Sequence, residues 1–167
     1  GLAWLFGFGA LVLAYGFDGR GLVSWGWPVG LTVLMSLQLV AMILMIVTLH
    51  RSTGSIRGES ARRWAMWGWT WPAGFFAVGM FDMWLAKRLA DDQMTQISCA
   101  LAMLIVGLLY MTGGALGREW PMFALGVWIL AVDAVSLQFA PGVQLLLLAV
   151  LAGLGAIATG CWMRWRA

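Results

Sequence analysis

The chain has 167 residues, 62% of them hydrophobic and 10% charged, with a mean hydropathy of +0.89 and a formal net charge of +3. A water-soluble domain of this length covers its outside with charge, and ten basic and seven acidic side chains gathered in short clusters are too few to do so. The composition excludes an ordinary soluble domain and indicates an all-α integral membrane protein; the scattered basic residues form no continuous patch, which argues against nucleic-acid binding.

Runs of about 20 apolar residues, the length needed to cross a bilayer core of about 30 Å, predict six spans in one domain over 1–167. They are 1–17, 27–49, 64–86, 95–115, 120–139 and 142–163. The first opens with "GLAWLFGFGALVLAYGFDGRG", which lacks the basic start of a cleaved signal and reads as a span. Because it is apolar from Gly1, without a methionine, a few residues are expected upstream. On a helix Phe8, Leu11, Tyr15 and Asp18 share one face, and Gly9 and Gly16 on an adjacent face would admit a neighbouring helix.

The second span places Gln38 on a face with Leu34, Met42 and Met45. An amide in an apolar medium needs partners, so Gln38 either bonds to a neighbouring helix or touches a permeating solute. The third span carries "WAMWGWTWPAGFFAVGMFDMW", five tryptophans and three phenylalanines around one acid. With each residue advancing about 100°, Trp64, Trp67, Trp71, Phe75, Val78 and Asp82 fall on one side. Since a charge turned toward lipid costs at least about 2.5 kcal/mol, that side is expected to face inward, with Trp69 and Trp84 turned to lipid or a neighbouring chain. Trp67 and Trp71 then either pack in the core or line a pathway. Trp4, Trp25, Trp27, Trp120, Trp162 and Trp165 lie near span ends and read as an interfacial belt.

In the fifth span Met122, Gly126, Ile129 and Asp133 share a face, and Pro141 and Gly142 in "APGV" break the chain into a tight hairpin before the sixth. Each odd-numbered span thus bears one aspartate toward the same end, Asp18, Asp82 and Asp133, hinting at three related helical hairpins in a compact bundle. The three acids either ring an outer mouth or snorkel to the interface. Arg51, Arg57, Arg62, Arg63, Arg118, Arg164 and Arg166 fall on one side, against Arg20, Lys87 and Arg88 on the other, which predicts both termini cytoplasmic in a bacterial-type inner membrane. Cys99 and Cys161 lie at opposite span ends, so no disulfide is expected. His50 is the only histidine, and neither a metal site, a cofactor nor a catalytic constellation is predicted. An intramembrane aspartyl enzyme would need its acids close together in a context that Asp82 and Asp133 lack.

Several stretches resemble the acetate uptake transporter family, also called succinate-acetate permeases. "WAMWGWTW" lies against that family's FTSYGSFW pattern, with Gly68 and Trp71 identical and Trp67 replacing the tyrosine. "LFGFGALVLAY" is similar to its glycine-phenylalanine-glycine stretch, with Phe8 at the aromatic position; Gln38 and Ala41 match its second span, and "AVLAGLGAIATG" its last helix. The resemblance implies a homohexamer in which each protomer has its own pore, narrowed at Phe8, Trp67 and Leu125, passing small monocarboxylates or succinate. The family's N-terminal asparagine-proline signature is absent, and acids at an outer mouth would repel anions. A urea- or amide-type channel of similar layout, taking a neutral solute, is therefore one alternative. The mechanism expected is a passive or proton-linked pathway gated by apolar rings, along Phe8, Tyr15, Gln38, Trp67, Trp71 and Leu125, with a weak acid crossing as the neutral acid or with a proton. A non-catalytic accessory or sensory subunit of a larger complex is the other alternative.

Overall fold

The computed structural model describes residues 1–17, 20–53 and 58–166, with backbone alone at 49–53 and 166. Asp18 and Arg57 lie outside the described residues, as do the side chains of His50, Arg51 and Arg166. The elements are α1 (Leu2–Tyr15), α2 (Trp27–Thr53), α3 (Glu59–Leu85), α4 (Asp91–Gly117), α5 (Trp120–Ser136), α6 (Pro141–Leu147), a π-helical turn (Leu148–Ala152) and α7 (Gly153–Arg166). Leu148 and Gly153 keep right-handed helical dihedrals, so α6, the π turn and α7 continue as one rod. Among the described residues the fold is all-helical, and three segments are long and apolar enough to cross a membrane: Trp27–Thr48, Asp91–Gly117 and Pro141–Trp165.

The other helices differ from the six equal spans expected. At about 1.5 Å per residue, the 14 residues of α1 and the 17 of α5 reach about 21 and 25 Å, less than a bilayer core. Helix α3 has 27 residues but lower hydropathy, since tryptophan counts as nearly neutral and the helix begins at Glu59, ahead of the apolar run. That early start has a local cause: Glu59 pairs with Arg63 one turn on, and a carboxylate suits the positive end of a helix. Pro72 sits inside α3, where it removes one backbone bond and presses on the carbonyl four residues back, at Gly68.

Packing runs in sequence order. Helix α1 lies against α2, α3 against α4, and α5 against the α6–α7 rod; α4 with α5 forms the most extensive interface, and α1 also packs along the rod. The described residues of α2 contact α1 alone among the helices, and α3 contacts α4 alone. The centre is therefore α1, α4, α5 and the rod, where Leu11, Ile129, Leu145, Leu148 and Ala152 are at most 1% exposed. Small residues let these helices come together: a β-carbon on Gly126 would lie 2.5 Å from the Met111 backbone nitrogen, and one on Gly114 2.4 Å from that of Phe123. In α1 the close approach is at Gly7, against Leu34, whereas Gly9 faces open space and Gly16 ends the helix at a left-handed φ of 73°. Gly142 touches Gly16 at one end of the molecule and Gly1 touches Ile157 at the other, so α1 and the rod run antiparallel.

The π turn has an identifiable support. Widening the helix by one residue leaves a carbonyl poorly satisfied, and the Trp128 indole donates to the Leu151 carbonyl at 2.9 Å. Gly155 makes room for that ring, since a β-carbon there would stand 2.6 Å from the indole nitrogen.

Gly126→Leu should force α4 and α5 apart and abolish a folded, monodisperse species in detergent, whereas Gly68→Ala, which meets nothing within 4 Å, should be neutral or stabilising by up to about 1 kcal/mol. Thermal unfolding of the purified variants checks both. Trp128→Phe keeps an aromatic ring but removes the indole N–H and its bond to Leu151, and should cost at least about 0.5–1.5 kcal/mol in the same assay, with lost packing adding to it.

Candidate functional site

Polar side chains collect where α1 and α5 end and α4 and α6 begin. The last carbonyls of a helix have no intrahelical donor, and in an apolar setting each needs another. Gln96, in the second turn of α4, supplies one side-chain amide to two of them, donating to Leu137 O at 3.1 Å and Phe139 O at 2.8 Å. Gln144, wholly buried on α6, donates its own amide to the Gln96 carbonyl at 3.1 Å. A neighbouring turn of α4 presents Ser98 and Cys99. The Ser98 hydroxyl donates to Asp82 Oδ1 of α3 at 2.9 Å, and the Cys99 thiol lies within electrostatic reach of both Asp82 and Asp133.

Three side chains in this region are polar and buried: Asp133 at 5% exposure, and Ser136 and Gln144 at 0%. The Ser136 hydroxyl returns to the Asp133 carbonyl at 2.8 Å. The Asp133 Oδ1 and Gln144 Oε1 oxygens are buried and accept no hydrogen bond. The amide oxygen can only accept, as can a carboxylate, so with Asp133 ionised both lack a donor. Two unmet acceptors in a core of leucine, isoleucine and valine mark the place where this fold accommodates polarity at a cost.

A cavity of about 970 Å³ opens at the same end, between the turn after α1 and the start of α4. Its walls include Tyr15, Arg20, Ser24, Trp27, Asp91, Asp92 and Thr95. Tyr15 and Trp27 meet edge to face at 5.8 Å, closing the side toward α2. With two acids against one arginine, the wall attracts cations and hydrogen-bond donors and disfavours anions.

The aromatic side of α3 faces α4. Trp64 packs on Gly117, Trp67 packs on Gly113 and donates its indole N–H to the Leu109 carbonyl at 3.1 Å, and Trp71 meets Tyr110 edge to face at 5.9 Å. Tyr110 in turn meets Trp4 at 6.3 Å, so the rings continue from α3 across α4 to α1. Trp4 is thus a core residue at 8% exposure, and the belt expected at span ends is left with Trp25, Trp120, Trp162 and Trp165, all exposed, and the half-buried Trp27. It is buried because α1 is short and its first turn lies against the rod. Trp69 and Trp84 are exposed, 75% and 54%.

Of the six residues expected along one pathway, four meet at one cluster. Phe8 and Leu125 belong to the buried central cluster, with Tyr15 and Trp71 packed at its edge; Trp67 stands outside it in the α3–α4 seam. Gln38 is half-buried on α2, against α1. Asp82 and Asp133 are brought to one neighbourhood by Cys99, while Asp18 lies outside the described residues. The amide that is fully enclosed is Gln144, a single polar letter in "PGVQLLLLAV", with its partner Gln96; a lone polar residue inside a leucine run was the available signal. Among the described residues no group of three His, Cys, Asp or Glu side chains could hold a metal ion. Comparison with family models, curated proteins and solved structures returns no match to this chain.

Proposed function

We propose that the chain is a multi-pass membrane transport protein for a small solute, linked to a proton. The helical core buries an acid and an amide whose oxygens lack donors, directly within the end of the bundle that bears an acid-walled cavity, and this observation carries the reading. An ionisable group retained inside an apolar bundle is costly, and such groups in membrane proteins serve ion, proton or substrate pathways. The six helical rods form the membrane domain, as three sequential hairpins, with the α1 and α5 ends reached by local thinning or by polar groups drawn into the interface. Arg62, Arg63, Arg118 and Arg164 set the cytoplasmic side, and the cavity faces outward.

The first solute is a short-chain monocarboxylate, as the resemblance to the acetate uptake family implies. The acids at the cavity require that it enter as the neutral acid, since a carboxylate would be repelled at the mouth and expensive to desolvate beyond it. A urea-type neutral donor suits the same acceptors. Because Leu11, Ile129 and Leu145 fill the centre, the described arrangement is a closed one, and passage requires the α6–α7 rod to move against α5. A π turn, already off the regular helical register, is where such a rod gives most readily. Copies associate as a homo-oligomer, a hexamer by the resemblance.

A second reading has one observation in its favour. The described parts of α2 and α3 each have a single helical neighbour, leaving broad apolar faces that foreign subunits could cover, as in an accessory subunit of a larger complex.

Uptake of labelled acetate, succinate and urea into liposomes separates these. For a weak acid crossing in neutral form, acetate uptake should fall about tenfold for each pH unit between about 6 and 8. Uptake with no pH dependence overturns the proton link, and no uptake of any of the three favours the accessory reading. Trp67→Ala should lower the yield of folded protein by loosening the α3–α4 seam, with the rate per folded molecule preserved; a lost rate at full folding would return Trp67 to the solute pathway.

A further inference from the structure

The two unmet oxygens stand in a definite relation. Helix α5 and α6 form a tight hairpin whose connection runs from Leu137 to Ala140. Asp133 lies four residues before Leu137 and Gln144 four residues after Ala140, so the two occupy the same level on antiparallel neighbours. Both also neighbour α4: Gln144 donates to the Gln96 backbone carbonyl, and Asp133 lies within electrostatic reach of Cys99, one turn further along. Each is more than nine-tenths buried. Gln144 has already spent its amide on Gln96, so its oxygen can be satisfied only by an incoming donor.

We propose that Asp133 and Gln144 form a proton-binding site, in which the carboxyl is carried as the acid and its O–H donates to Gln144 Oε1. One proton then answers both deficits. It forms the O–H bond on Oδ1 and makes the donor that Oε1 lacks. An ionised carboxylate at the same place would bury a charge with no cation bonded to Oδ1 and two acceptors facing one another, an arrangement costing several times as much as a neutral bond. The titratable groups that face the site are the Cys99 thiol from α4 and, across it, Asp82 from α3, whose carboxylate is held by Ser98. Both groups are acidic, so neither supplies a positive charge that would hold Asp133 ionised. The proton is exchanged with water at the cavity end of the bundle and returns to water when it leaves; no redox partner is involved. The place of this proton in a transport cycle rests on the transport reading above, but its presence does not.

The measurement is infrared difference spectroscopy of the purified, lipid-reconstituted protein, with aspartate labelled at the side-chain carbonyl carbon. The parent at neutral pH should show the carbonyl stretch of one buried protonated aspartate, shifting on exchange into D₂O. Asp133→Asn, whose amide can donate to Gln144 in place of the acid, should fold like the parent and lose that band. Gln144→Leu should keep the band but raise its frequency, because the acid loses its acceptor. A band unchanged in Asp133→Asn, or no protonated carboxyl in a parent shown to be folded, overturns the proposal. If Asp133→Asn misfolds, the response of the band in Gln144→Leu decides: an unshifted band overturns the pairing. The two readings fail separately. A protonated Asp133 in a protein that moves no solute leaves the site standing without the transport role, and pH-dependent uptake by a parent that shows no such band leaves transport without this site.

Discussion

The close approach of α4 and α5 governs the rest of the structure. Gly107, Gly114 and Gly126 remove the side chains that would hold these helices apart, so backbone meets backbone along much of the interface. In a lipid setting this matters more than in water, because burying apolar area against another helix gains little over burying it in acyl chains; packing and hydrogen bonds between helices do the holding. The contact also sets the positions of functional groups. It brings Gln96 beneath the end of α5, where one amide satisfies two carbonyls, and it carries Asp133 to the Cys99 side of α4.

Much of the helical layout was legible in the sequence because its signal is composition at the scale of a whole helix. The apolar runs lie on helices, three of them long and apolar enough to cross a membrane, and the breakers at Pro141 and Gly142 fall where α6 begins. Boundaries moved where local chemistry outweighed hydropathy: Glu59 and Arg63 extend α3 backwards, and Gly16 stops α1 early. Burial of individual residues was harder to read. Trp4 stands at a span end and has the composition of a belt residue, yet Tyr110 lies over it, a contact between α1 and α4 that no local pattern encodes. Gln38 and Gln144 are each a lone amide in an apolar run, and periodicity does not distinguish the one on a flank from the one at the centre.

The aromatic side of α3 illustrates how one periodic pattern fits two structures. A helix that packs on a neighbour and a helix that lines a pathway both need a stripe at the 3.6-residue period, and the stripe here does the first. Trp64, Trp67 and Trp71 fill the space left by Gly117, Gly113 and the Tyr110 ring, and the Trp67 N–H is used on a backbone carbonyl. Large rings against glycines are a way to join helices without a cluster of charges, and they account for Trp64 and Trp67. On this stripe the Trp71 indole nitrogen is buried without a partner, and the two acceptors in the same condition, on Asp133 and Gln144, lie elsewhere.

That separation bears on how such a protein could move a solute. The ring seam between α3 and α4 is rigid by construction, since each tryptophan has two degrees of rotational freedom and a fitted socket. The rod, by contrast, has a π turn in its middle, a glycine at the start of α7 and a carbonyl held by a single indole. Its buried end carries Gln144, so a small rotation of α6 about the π turn would move that amide relative to Asp133 and to the Gln96 carbonyl. Protonation and helix register would then be coupled through one contact: the O–H bond between Asp133 and Gln144 holds the two helices at one level, and loss of the proton leaves two acceptors that repel. Gln144 and the only π-helical segment among the described residues lie on the same rod, one turn apart, while Asp133 stands on α5 beside it, so a change at the π turn would act on one half of the pair alone.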